Sequence, residues 1–163
     1  MVFAAVVLGR AAALDGKNVL QTQAYGAEAR GSLTKSEVII SENKIGFPAV
    51  RKSDILVTMS QEATNELVKD LRDTGALVID STSVKEVPPA GTKVLRFPAT
   101  ETAKKVFGEG LYANMVMLGA LLHDFRLVRT ESVEEAIRES AAKKNVEKNL
   151  NAFREGLRLP PTS

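Results

Sequence analysis

The residue types best suited to recognition are concentrated in one short stretch. Between Tyr25 and Gly31 a phenol, two glycines (Gly26 and Gly31), a carboxylate (Glu28) and a guanidinium (Arg30) fall within seven residues. Polar tips on a flexible backbone suit a loop that faces a partner or ligand. The same residues also suit a surface crossover, with Gly26 and Gly31 supplying positive φ and Glu28 and Arg30 forming an exposed ion pair worth less than about 1 kcal/mol. A second cluster, Ser60-Gln61-Glu62, stands where a strand should meet a helix N-terminus. Ligands favour that position in open α/β sheets, although plain capping by Ser60 is the somewhat stronger reading. Thr82 and Ser83, just beyond Asp80, would lie along the same sheet edge if the strands are parallel. With the Tyr25–Arg30 loop they would make one continuous polar rim. The single histidine, His123, adjoins Asp124, the pairing of a base with an orienting carboxylate. No serine nucleophile or second ligand is spaced to serve it, and a helix end covering the core is the stronger reading.

No zinc, EF-hand, G-x-S-x-G, P-loop or G-x-G-x-x-G pattern occurs, so the sequence assigns no catalytic residue and no metal ligand. The chain has no cysteine, which removes disulfides, thiolate nucleophiles and thiolate-held zinc or iron–sulfur clusters together. Twenty-two basic against twenty acidic residues, without a basic run, exclude nucleic acid as an expected partner. A length of 163 residues suits one domain, expected over residues 1–158, with 159–163 as a frayed tail.

The elements that must position these residues follow from periodicity. Residues 2–14 carry apolar side chains at helical spacing and end at Asp15-Gly16. The apolar start mimics a signal peptide, but Arg10 interrupts it and no basic residue precedes it, so it reads as a helix of a cytoplasmic protein. No run reaches the roughly 18 to 20 apolar residues of a membrane span. Strands are expected at Lys17–Gln23 and Glu37–Ser41, flanking the polar loop, and at Asp54–Met59, a short apolar run of buried parallel type. Ser60 then caps a helix that runs through Leu71 and stops at Thr74-Gly75. Strands Ala76–Asp80 and Lys93–Phe97 follow, giving a βαβ unit. Thr100 is expected to cap a helix over Glu101–Phe107, and Leu111–Leu122 reads as a buried helix whose Gly119 admits a close neighbour. Ser132 and Glu135 form a capping box for another helix, and Val146, Leu150, Phe153 and Leu157 stripe the last one. Together these predict a three-layer, Rossmann-like α/β domain with a parallel or mixed central sheet and a helical C-terminal segment.

The segment TQAYGAEARGSLTKSEV at Thr22–Val38 resembles the gamma subunit, or the equivalent fused domain, of the 2-oxoacid:ferredoxin oxidoreductases. Further echoes are DILVTMSQEA at Asp54–Ala63, LVIDS at Leu77–Ser81, FPATE at Phe97–Glu101, ANMVMLGAL at Ala113–Leu121 and the AFREG tail through Gly156. The resemblance implies a non-catalytic subunit of a complex that oxidatively decarboxylates a 2-oxoacid, yielding acyl-coenzyme A and reduced ferredoxin. It implies alpha, beta and ferredoxin-like delta subunits as partners, which hold the thiamine diphosphate, Mg2+ and iron–sulfur clusters. Coenzyme A becomes a candidate ligand of Tyr25, Gly26, Glu28, Arg30, Gly31, Ser60, Gln61 and Thr82. Family members place a strand and a glycine-rich turn before the first helix, neither of which appears here, and Ser32 stands where a second glycine is common. A stand-alone α/β binding module, or a small enzyme for a nucleotide-like ligand, is the alternative.

Overall fold

The computed structural model describes residues 1–25, 34–87 and 92–162. Helix α1 (Val2–Leu14) ends at a turn in which Gly16 adopts φ 79°, and its chain returns as strand β1 (Asn18–Tyr25). Only glycine takes that backbone angle without cost. Strand β2 (Thr34–Ser41) pairs antiparallel with β1, from Asn18 opposite Ser41 to Tyr25 opposite Thr34. Strands β3 (Ser53–Thr58), β4 (Leu71–Asp80) and β5 (Lys93–Phe97) form a parallel sheet in that order, with helix α2 (Gln61–Leu67) in the first crossover. Helices α3 (Ala99–Phe107), α4 (Ala113–Phe125), α5 (Thr130–Ser140) and α6 (Val146–Leu157) complete the chain.

Alternation along β4 builds two cores. Val78 faces the larger one with Phe97 and the helices α1, α4 and α6, while Leu77 and Ile79 face a smaller cluster with Leu71 and Val84. A strand covered on both faces must be apolar throughout, which is why Leu77-Val78-Ile79 carries no polar alternation in the sequence. Helix α4 is buried on nearly all sides, and it meets α6 at two glycines. A Cβ on Gly119 would lie 2.1 Å from the Phe153 carbonyl oxygen, and one on Gly156 would lie 2.0 Å from that of Val116. Among the described residues no helix is long and apolar enough to cross a membrane.

Several local expectations are corrected. The two strands flanking the polar loop do not join the parallel sheet; they make a separate two-stranded one, and both are longer than expected. Helix α2 stops at Leu67, a 3-10 turn takes Val68–Asp70, and β4 starts already at Leu71. The early start is irregular, since Ser53 pairs with Leu71 but Ile55 pairs with Ala76. Gly75 tolerates the crowding because a Cβ there would meet the Leu71 side chain at 2.7 Å and the Asp54 carbonyl at 2.9 Å. Helix α3 starts at Ala99 behind Pro98, so Thr100 lies inside it and does not cap it. Helix α5 begins at Thr130, placing Ser132 inside the helix, and the capping box does not form. Its place is taken by Asp15 from the end of α1, which accepts from the Arg129 amide at 2.7 Å, the Arg129 Nε at 2.8 Å and the Ser132 hydroxyl. Near the C-terminus the Thr162 amide donates to the Arg96 carbonyl at 2.8 Å.

Candidate functional site

The C-terminal ends of β3 and β4 form a polar shelf because the strands are parallel and each is followed by polar residues. Ser60, extended at φ −148°, uses its hydroxyl oxygen to accept from the Ala63 amide at 3.2 Å and so caps α2. Gln61 is fully engaged: its Oε1 accepts from the Lys85 and Glu86 amides at 2.9 and 3.0 Å, and its Nε2 donates to the Glu86 carbonyl at 2.7 Å and to Asn65 Oδ1 at 3.0 Å. Thr82 accepts from the Glu101 amide at 3.1 Å, capping α3 from the neighbouring loop. The three shelf residues singled out in the sequence therefore hold the strand-end loops together.

Beneath them lies a carboxylate that the sequence reading passed over. Asp80 is completely buried and accepts from the Thr82 amide at 3.1 Å, the Thr100 amide at 3.4 Å and the Thr100 hydroxyl. A buried carboxylate persists only where donors replace its water. The available signal was an aspartate closing an apolar strand run ahead of Ser81-Thr82-Ser83. A buried Thr58–Thr64 hydroxyl pair at 2.7 Å, with Thr64 also donating to the Ser60 carbonyl at 2.9 Å, fastens β3 to α2 in the same way.

The hairpin and the shelf border one cavity of about 1270 Å³ between β2 and β3, reached by Thr34 on one side and Ser60 on the other. Its apolar walls come from Leu8 on α1, from Met117 and Leu121 on α4, and from Ala63 and Leu67 on α2. Charged side chains border it as well. Lys35 pairs with Glu37 at 2.7 Å, and the Arg51 guanidinium lies 4.8 Å from the centre of the Phe47 ring. Tyr25 is the last residue of β1 and pairs through its backbone with Thr34. Gly26, Glu28, Arg30 and Gly31 lie outside the described residues.

Two further groupings are structural in their geometry. His123 is half exposed, and its Nδ1 stands 4.0 Å from Asp124 Oδ1, too far for the hydrogen bond an oriented base would need. Glu134 on α5 takes a two-point contact from Arg154 on α6 at 2.7 and 2.9 Å, with Arg138 at 3.0 Å. The Arg154 hydrogen bonds, outweighing burial, hold the Glu134 carboxyl below the usual range. Among the described residues there is no group of three or more His, Cys, Asp or Glu able to hold a metal ion. With no cysteine in the sequence, this chain offers no thiolate ligands for iron–sulfur clusters.

The family model described as pyruvate ferredoxin/flavodoxin oxidoreductase matches residues 1–159. The 2-oxoglutarate synthase subunit KorC of Methanocaldococcus jannaschii is 43% identical over 159 residues, covering 96% of this chain and 85% of that protein. The subunit of the same name from Methanothermobacter thermautotrophicus is 42% identical over 166 residues, covering 98% of this chain and 88% of its own length. Among solved structures, the keto/oxoacid ferredoxin oxidoreductase gamma subunit from Geobacter sulfurreducens superposes with a TM-score of 0.83 at 36% identity, covering 95% of this chain and 88% of that one.

Proposed function

Because this chain belongs to the pyruvate ferredoxin/flavodoxin oxidoreductase family, we propose that it acts as the gamma subunit of a complex that oxidises a 2-oxoacid to acyl-coenzyme A and reduces ferredoxin. The observation that carries this reading is sequence similarity along 96% of the chain to a 2-oxoglutarate synthase subunit. 2-Oxoglutarate is accordingly the first substrate to test. Alpha, beta and ferredoxin-like delta subunits are the proposed partners, and the cytoplasm the proposed compartment. Thiamine diphosphate with Mg2+ would supply the carbanion chemistry of decarboxylation, and iron–sulfur clusters the electron path. These groups are assigned to the partner subunits, as the family resemblance implies. This chain's share is to frame the assembly, with Tyr25, Gly26, Glu28, Arg30 and Gly31 as the proposed contact segment and coenzyme A as a candidate ligand beside them. No observation favours a stand-alone binding module.

The test compares the chain alone with the chain reconstituted with its partner subunits, in the presence of thiamine diphosphate, coenzyme A and ferredoxin. Ferredoxin reduction that depends on both 2-oxoglutarate and this chain is the expected result. Turnover by the chain alone, or full activity of the complex without it, would overturn the assignment.

A further inference from the structure

Strand β5 ends the parallel sheet on one side, for among the described residues it pairs with β4 alone. The main-chain groups of a strand alternate from side to side, and the Phe97 carbonyl is turned inward, where it accepts from the Ser81 amide at 2.9 Å. Those of Val94 and Arg96 therefore face outward, a short edge of the kind that templates pairing with another strand. The C-terminal segment lies across it. Beyond α6 the Leu159 amide donates to the Gly156 carbonyl at 3.0 Å, and the Leu159 side chain packs on the larger core. Pro160 and Pro161 then carry the chain to Thr162, whose amide and hydroxyl both donate to the Arg96 carbonyl, at 2.8 and 3.2 Å, in an antiparallel bridge.

We propose that Leu159–Thr162 is a strap that covers the outer edge of β5 and keeps a second copy of this chain from pairing there. Its composition suits that task. Leu159 anchors one end on the core, and the bridge to Arg96 fixes the other. The two prolines between them have fixed φ angles and no N–H to give, so the strap is stiff and its own outer side offers a further strand little to pair with. A second copy is the strand excluded, because two β5 edges related by a two-fold axis run antiparallel, the direction the strap already takes against Arg96. With the axis at Leu95, Val94 of each copy would exchange both main-chain hydrogen bonds with Arg96 of the other. Every such exchange needs an Arg96 carbonyl, and the strap holds it.

Sedimentation velocity across a range of concentrations tests this on the full chain, on a form ending at Leu159, and on a full-length Thr162→Pro variant that lacks both donors to Arg96. Thr162 is exposed, so Thr162→Pro should keep the parent's circular dichroism and melting temperature. Both altered forms should self-associate at least about tenfold more tightly than the parent chain. Adding Val94→Pro or Arg96→Pro to Thr162→Pro should restore the parent's behaviour, since both amides point away from β4 and proline is tolerated at such edge positions. Self-association of Thr162→Pro no tighter than the parent's would overturn the proposal. So would association that both edge prolines leave unchanged, which would place the contact on another surface.

Discussion

Asp15 is the residue whose removal should be felt furthest from its own element. Its side chain is only 7% exposed, and its carboxylate, just beyond the end of α1, receives the amide and guanidinium of Arg129, the residue before α5, and the Ser132 hydroxyl within α5. Burial pushes its carboxyl up, but the Ser132 hydroxyl, the Arg129 amide and the Arg129 guanidinium outweigh that and hold it below the ordinary range. A carboxyl lowered on folding contributes stability that is complete above its unfolded value, about 3.9, and is lost as pH falls through the folded one. Asp15→Asn should therefore lower the melting temperature at neutral pH by about 3–6 °C, the size expected for loss of a helix cap in a domain of this length. The difference from the parent chain should shrink steadily below about pH 4 in melts followed by circular dichroism. Asp80→Ala should cost more, on the order of 3 kcal/mol, because it strands two amides and a hydroxyl in a site closed to water. Arg30 belongs to a different kind of test. If it meets a carboxylate or phosphate across a desolvated interface, Arg30→Ala should weaken complex assembly by about 2–5 kcal/mol and leave folding untouched. A variant that assembles, melts and supports turnover normally would return the Tyr25–Gly31 segment to a plain crossover.

Between elements, the contact of α4 with α6 depends on the absence of two side chains. Gly119 and Gly156 bring the helix backbones together at separations where any Cβ would overlap a carbonyl oxygen. Gly119→Ala should therefore destabilise by about 3 kcal/mol or more, even though alanine is the better helix former by nearly 1 kcal/mol, because neither backbone can move without dislodging Phe153 and Leu150 from the core. Urea unfolding of Gly119→Ala and Gly156→Ala gives the comparison, and an unchanged midpoint in either would mean that the helices can slide apart at little cost. The Glu134–Arg154 contact, linking α5 to α6, is the weaker tie because the Arg154 side chain is 41% exposed. Gly119 was readable in the sequence as a place of close approach, whereas its partner Gly156 was not, since one glycine in a charged, amphipathic segment gives no sign of what it touches.

At the scale of the whole molecule, stability should be distributed as the strand pairing is. β4 is paired on both sides and buried along Ala76–Asp80, while among the described residues β2 pairs only with β1 and β3 only with β4. Amides of β4 should exchange with solvent slowest, near the global opening free energy, and those of β2 and β3 measurably faster in hydrogen-exchange mass spectrometry. Uniform protection across β2, β3 and β4 would overturn this ordering.

Periodicity and local chemistry determined most of the elements. Residues 2–14, the β3 and β5 runs, the Ser60 cap and the buried helix around Met115–Leu122 depend on interactions within a few residues, and these the sequence states directly. The family, too, was legible in ordered motifs from Thr22 to Gly156. Choices between long-range partners were not. Ser132 and Glu135 carry the pattern of a capping box, yet Asp15, 117 residues away, offers a carboxylate at the same helix end, and the helix starts earlier to meet it. Thr100 looked like a cap and is instead a donor to Asp80, twenty residues back. Strand pairing is likewise a long-range choice: among the described residues β1 and β2 pair with each other and apart from the parallel sheet.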